Sequence, residues 1–136
     1  MNNTNTTNNI NNSNIPINNK TEKYDIHKRI YVFVLSVIKL VNSLPKTPSN
    51  YVIVNQILRS VTSMGANDQE ADGTLSKKDF IYCYKIVRKE SKETLFWLML
   101  IADTNPSLKE SANVIIVEVK ELIAIISTII NKTRKK

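Results

Sequence analysis

The feature that most constrains the fold is the recurrence of apolar residues at three- and four-residue steps in four separate segments. This spacing places apolar side chains along one side of a helix, whereas a half-buried strand requires strict alternation. Glycine, which often marks turns and bulges, occurs only at Gly65 and Gly73. The four segments therefore predict an all-α protein with one helix in each segment.

Prolines and cap residues set the predicted bounds of these helices. The first runs from about Tyr24 to Leu44 and ends before Pro45, which cannot donate the backbone hydrogen bond of a continuing helix. The second begins near Ser49 or Asn50, since both are favourable N-cap residues. The predicted helices span residues 24–44, 49–71, 77–103 and 107–132. Short connections favour antiparallel neighbours, so the sequence predicts an up-down-up-down four-helix bundle.

The fourth predicted helix has the widest apolar surface. Its core stripe comprises Leu108, Ala112, Ile115, Val119, Leu122, Ile126 and Ile129, widened by Ile116, Ile123 and Ile130. Val117 and Ile125 are apolar beyond this stripe. Packing against one face of the bundle does not bury so much apolar surface. Self-association is the simplest way to bury the remainder. A thick monomeric core is the alternative.

The start of the chain differs in composition from the rest. Ten of the first 20 residues are asparagine, and such a polar tract buries too little apolar surface to offset the entropy of ordering it. The predicted organisation is a disordered tail at 1–22, a four-helix bundle at 23–132 and a basic tail at 133–136. The tail has no signal-peptide pattern and Cys83 is the single cysteine, so we expect a reduced, cytoplasmic compartment.

Few residues of the sequence suit catalysis or metal binding. His27 is the only histidine and Cys83 the only cysteine, so neither residue type can supply a metal-binding cluster. Two isolated glycines cannot form a phosphate-binding loop. We interpret His27 as a surface residue, and we expect a non-enzymatic protein with no cofactor, no metal, no membrane partner and no small-molecule substrate.

The net charge of +7 and the sequence pI of about 9.5 favour polyanionic partners, above all nucleic acid. In the segment KIVRKESKETLFW at 85–97, six of the thirteen residues are charged. Helical spacing places one outward stripe on Lys78, Lys85, Lys89, Lys92 and Phe96. One interpretation is a solvated helix face on which Lys89 and Glu93 pair one turn apart. The other is a nucleic-acid-binding surface formed by Lys77, Lys78, Lys85, Arg88, Lys89 and Lys92. An acidic protein is a third candidate partner of this face.

Polar residues at bundle-facing positions predict an interhelical network. Its members are Arg59, Ser60, Ser63, Asn67 and Glu70 of the second helix with Asp79 and Glu93 of the third. A buried Arg59 would need a carboxylate, because an unpaired buried charge is very costly, and Glu93 and Asp79 are the available acceptors. We interpret the network as structural, with a ligand-binding or catalytic role as the alternative.

Two of these polar segments also resemble a known family. RSVTSMGANDQEA at 59–71 and SKKDFIYCYKIVRKESKETLFWL at 76–98 resemble the four-helix bundle proteins encoded in intervening sequences of bacterial large-subunit ribosomal RNA genes. The resemblance covers about residues 23 to 132. Asp68 and Gln69 depart from it, since that family often has apolar or aromatic residues there.

The resemblance implies an antiparallel four-helix bundle that assembles into a homopentameric ring. A related branch, the accessory variability proteins of diversity-generating retroelements, binds nucleic acid through a basic surface and also binds the retroelement's reverse transcriptase. We therefore expect an oligomeric accessory protein that binds RNA or DNA, with a reverse transcriptase as a further partner. The alternative is a protein–protein scaffold of the same family with no direct nucleic-acid role.

Overall fold

Four α-helices make up the part of the chain that the structure describes. A computed structural model describes residues 25–136, and the predicted tail at 1–22 lies outside them. The helices are α1 (Ile26–Asn42), α2 (Pro48–Asp72), α3 (Lys77–Thr104) and α4 (Lys109–Lys135), with a 3-10 turn (Pro106–Leu108) before α4. No strand occurs within the described residues, so the predicted all-α class is confirmed there.

Each helix packs against its neighbours in chain order, and α1 also packs against α4. The α2–α3 and α3–α4 contacts are the most extensive, partly because α1 is the shortest helix. The backbones of α1 and α3, and those of α2 and α4, do not approach closely within the described bundle, so these pairs lie on its diagonals. Short connections reverse the chain at each step, and the predicted four-helix bundle is confirmed.

The predicted cap of α2 at Ser49 or Asn50 is wrong. Thr47 is the N-cap, and its side-chain oxygen accepts a hydrogen bond from the backbone N–H of Asn50 at 3.1 Å. Pro48 occupies the first helical position, where its missing N–H costs nothing and its fixed φ suits the helix. The side chain of Asn50 instead forms a buried amide pair with Asn105, with N–O distances of 2.8 and 3.1 Å.

Helix α4 differs from its predicted bounds at both ends. Its first predicted turn is the 3-10 turn, and the α-helix begins only at Lys109. At the other end the helix continues to Lys135, through most of the predicted basic tail. Basic residues suit this position, because a helix C-terminus carries partial negative charge.

The core consists of one apolar stripe from each helix. The predicted stripe of α1 is buried throughout, from Ile30 to Leu44. In α4 the buried positions differ by one residue from the predicted stripe at two places. Ile116 and Ile130 are buried, while Ile115 and Ile129 are half-buried. Within residues 25–136, no helix combines the length with the apolar character that crossing a membrane requires.

Candidate nucleic-acid interface

The outer face of α3 carries six basic residues, which we call the basic stripe: Lys77, Lys78, Lys85, Arg88, Lys89 and Lys92. The opposite face of α3 is buried in the bundle, through residues such as Val87, Thr94 and Leu98. All members of the basic stripe are exposed except Arg88, which is half-buried. At a rise of about 1.5 Å per residue, the lysines from 78 to 92 extend over roughly 21 Å.

Most cations of the basic stripe have no partner in the part of the chain that the structure describes. Within residues 25–136, five of them make no ion pair and no side-chain hydrogen bond: Lys78, Lys85, Arg88, Lys89 and Lys92. The predicted pair between Lys89 and Glu93 does not form, because Glu93 contacts Arg59 of α2 instead. Such cations are available to external anions.

Arg59 of α2 forms ion pairs with two carboxylates of α3, which therefore point toward α2 and not toward the basic stripe. Its Nη1 donates to Glu90 Oε2 at 3.3 Å, and its Nη2 donates to Glu93 Oε1. The side chain of Glu90 is 8% exposed and that of Arg59 is 49% exposed. The buried charge of this group is therefore Glu90, which the sequence did not single out, and not Arg59. The result is that α3 presents cations outward and turns two carboxylates toward α2.

The rest of the predicted polar network is mostly local. Ser60 Oγ lies 2.8 Å from Thr94 Oγ1, a buried contact that joins α2 to α3. Asn67 instead donates to the backbone carbonyl of Ser63 in its own helix, at 2.9 Å. Two predicted members are exposed and form no side-chain hydrogen bond to another helix of the described bundle: Glu70 and Asp79.

A second polar cluster joins three helices around the buried carboxylate of Asp68. Asp68 Oδ1 accepts a hydrogen bond from Tyr84 Oη at 2.7 Å and lies 2.8 Å from His27 Nδ1. The Asp68 side chain is 1% exposed, and its second oxygen has no partner among the described residues. Burial, and then the hydrogen bond to Asp68, raise the pKa of Tyr84. The Tyr84 hydroxyl is therefore protonated at neutral pH, which favours a structural role for the cluster.

The basic C-terminal end of α4 lies beside the basic stripe. Lys77 Nζ donates to the backbone carbonyl of Arg134 at 3.3 Å and to that of Lys136. This contact places the C-terminal end of α4 next to the start of α3. The basic residues of this end are Lys132, Arg134, Lys135 and Lys136. The predicted separate basic tail is thus continuous with the α3 surface.

A different face, between α1 and α4, is apolar and exposed. Val32 of α1 and Val114 of α4 line an open groove of about 320 Å³, and the exposed Val117 follows on α4. Arg29 and Glu118 close one side of this groove with an ion pair at 2.6 Å. The sequence predicted Val117 as apolar surface beyond the core stripe, and the structure leaves it exposed.

Comparison with known proteins identifies the family. The sequence profile of the 23S rRNA-intervening sequence proteins matches residues 22–128. The chain belongs to this family. The predicted resemblance to proteins encoded in ribosomal RNA intervening sequences is thereby confirmed, while the relation to accessory variability proteins stays a prediction.

The fold of this intervening-sequence protein is similar to a solved structure from Bacteroides thetaiotaomicron VPI-5482. That crystal structure is of a protein with unknown function from the S23 ribosomal protein family. The two sequences are 32% identical, the TM-score is 0.70, and the match covers 77% of this chain and 97% of the other. None of the curated proteins compared matches the chain.

Sequence reasoning missed one prominent side chain of the intervening-sequence protein, Tyr82. It lies four residues after Lys78 and three before Lys85, so it shares the outward face of α3 with them. The structure shows it 66% exposed. The same spacing that located the basic stripe could have located this tyrosine.

Proposed function

We propose that this intervening-sequence protein is a non-enzymatic, oligomeric protein that binds RNA or DNA through the basic stripe. The segregation of charge on α3 is the observation that supports this proposal most directly. Five cations on one face lack partners among residues 25–136, while Glu90 and Glu93 both form ion pairs with Arg59 on another face. Cations without internal partners keep their attraction for phosphate groups.

The proposed contact is electrostatic and depends little on base sequence. Each phosphate that a lysine neutralises releases condensed counterions, so affinity falls as salt rises. Five phosphate contacts per protomer correspond to a log–log salt slope of about −3.5 on single strands and about −4.5 on duplex DNA. An assembly that repeats the basic stripe would bind a long strand more tightly than one protomer does.

Self-association is part of the proposal. The exposed apolar groove between α1 and α4 supports it, because a contiguous apolar face is typical of a protein–protein contact. The family resemblance motivates a homopentameric ring as the form of the assembly. Light scattering coupled to size-exclusion chromatography tests it: a mass about five times that of the chain supports the ring, and a monomer mass contradicts it.

Charge reversal tests the nucleic-acid contact. The triple variant Lys85→Glu, Lys89→Glu, Lys92→Glu removes three positive charges from the basic stripe and adds three negative ones. Its matched control reverses three exposed lysines elsewhere on the bundle: Lys39, Lys46 and Lys120. Fluorescence anisotropy with labelled RNA and DNA measures binding at about 50 and about 200 mM salt.

We expect the stripe variant to lose binding and the control to retain most of it. Equal losses in both variants would mean that net charge alone attracts nucleic acid, and this would contradict the proposed surface. Binding of the unchanged protein that does not weaken between the two salt concentrations would also contradict it.

The second candidate function is a protein–protein scaffold, favoured by the same groove around Val32 and Val114. The resemblance to accessory variability proteins suggests a reverse transcriptase as one such partner. An apolar contact depends weakly on salt, whereas phosphate binding depends on it steeply. A partner retained at high salt by a protein that binds no nucleic acid would favour the scaffold.

A further inference from the structure

An exposed aromatic ring lies within the basic stripe. Tyr82 lines an open pocket of about 530 Å³, together with Lys77, Lys78, Ile81 and Lys85. The Tyr82 hydroxyl forms no hydrogen bond, and its ring joins no aromatic pair, among residues 25–136. A large ring with a polar tip therefore remains accessible beside lysine ammonium groups.

A second ring lies further along the same face. Phe96 is 53% exposed, and Trp97 supports it in an edge-to-face pair with ring centroids 4.9 Å apart. Phe96 follows Tyr82 by fourteen positions, which corresponds to roughly 21 Å along α3. Three lysines of the basic stripe lie between the two rings: Lys85, Lys89 and Lys92.

We infer that Tyr82 stacks on an unpaired nucleobase, and that the basic stripe therefore selects single-stranded over duplex nucleic acid. This inference rests on the proposed nucleic-acid binding and specifies its ligand. Lysines that follow a sugar–phosphate backbone, combined with aromatic rings that stack on bases, are the two elements of single-strand binding surfaces. Duplex bases are already stacked on one another, so only an unpaired base can cover the Tyr82 ring.

The arrangement predicts a division of roles along α3. The lysines at positions 78 and 85 flank Tyr82 by one helical turn on each side, so they can contact the phosphates next to a stacked base. Phe96 provides a second stacking surface at the far end of the stripe. Stacking needs no particular base, because every base has an aromatic face, so we expect little sequence preference.

Four labelled probes of about 12 nucleotides separate stacking from phosphate contact. They are a single-stranded RNA, a single-stranded DNA, an abasic DNA with the same number of phosphates, and a duplex. The variants are Tyr82→Ser, which removes the ring, and Tyr82→Phe, which keeps it. Tyr51→Ser is the matched control, because Tyr51 is 73% exposed but lies on α2, outside the basic stripe.

We expect Tyr82→Ser to weaken binding of both single strands about 5-fold or more, the effect of losing one base–aromatic stack. The same variant should change binding of the abasic strand and the duplex less than about 2-fold. Tyr82→Phe and Tyr51→Ser should bind every probe as the unchanged protein does. A difference between RNA and DNA would identify the preferred strand.

Other results would overturn the inference. Equal affinity of the unchanged protein for the abasic and the normal DNA would show that no base is stacked. A lower mass of Tyr82→Ser in light scattering would place the ring between protein copies. The proposed function would survive either result if the charge-reversal variant still lost binding. If no probe binds the unchanged protein, both the inference and the proposed function are wrong.

Discussion

Removing one oxygen atom from Tyr84 should destabilise the bundle. Tyr84→Phe deletes the hydroxyl that donates to Asp68 at 2.7 Å and leaves the ring in place. The Asp68 side chain is 1% exposed, and one of its oxygens already lacks a partner in the described structure. After the substitution, His27 is the only hydrogen-bond partner of this buried carboxylate among residues 25–136.

The expected cost follows from the buried charge. A hydrogen bond to a charged group contributes about 1.5–3 kcal/mol, and a buried acceptor that loses its donor cannot turn to water instead. We expect Tyr84→Phe to lower the free energy of unfolding by about 2 kcal/mol, roughly a 30-fold change in the ratio of folded to unfolded protein.

Urea denaturation followed by circular dichroism at 222 nm measures this change, at a fixed protein concentration because assembly contributes to stability. Tyr82→Phe is the matched control. It removes an exposed hydroxyl from the same helix, where no partner is lost among residues 25–136, and should cost less than about 0.5 kcal/mol.

Making the same substitution in an Asp68→Leu variant isolates the contribution of the hydrogen bond between Tyr84 and Asp68. In Asp68→Leu the buried charge is absent, so Tyr84→Phe should cost close to nothing or stabilise, since it then removes an unpaired hydroxyl. The reasoning is refuted if Tyr84→Phe costs the same in both backgrounds, or if it costs no more than Tyr82→Phe.

Three further predictions concern other contacts. Arg59→Ala should lower the free energy of unfolding by about 1–2 kcal/mol, measured by urea denaturation, because it leaves the nearly buried Glu90 without its cation. Thr47→Ala should cost about 1 kcal/mol by the same method, and Ser49→Ala less than about 0.5 kcal/mol, since Thr47 caps α2. Cys83 should resist alkylation at pH 8 until the protein unfolds, because burial shields the thiol and raises its pKa.

Each of these predictions has an opposing result. An unchanged transition for Arg59→Ala would show that its ion pairs contribute no stability. Equal costs for Thr47→Ala and Ser49→Ala would mean that the α2 cap is not at Thr47. Alkylation of Cys83 as fast in the native protein as in urea, measured by mass spectrometry, would show that the thiol is accessible.

The positions of the helices were predictable because the signals for them are local. Apolar steps of three and four residues located all four helices, and the exposed row from Lys78 to Phe96 follows from the same period. The start of α2 was predicted less well, since several neighbouring residues could cap it. Thr47 is the N-cap because Pro48 occupies the first position of the helix.

The sequence by itself determined the helices, their buried sides and the basic outward face of α3, because each depends only on spacing along one helix. Only the tertiary structure decided which side chains meet across helices. Arg59 contacts Glu90, and Tyr84 contacts Asp68, because the rotation and stagger of α2 against α3 place these atoms within hydrogen-bond distance. Spacing within one helix contains no information about that stagger. The sequence alone therefore could not show that Glu93 contacts Arg59 of α2 rather than Lys89 of its own helix.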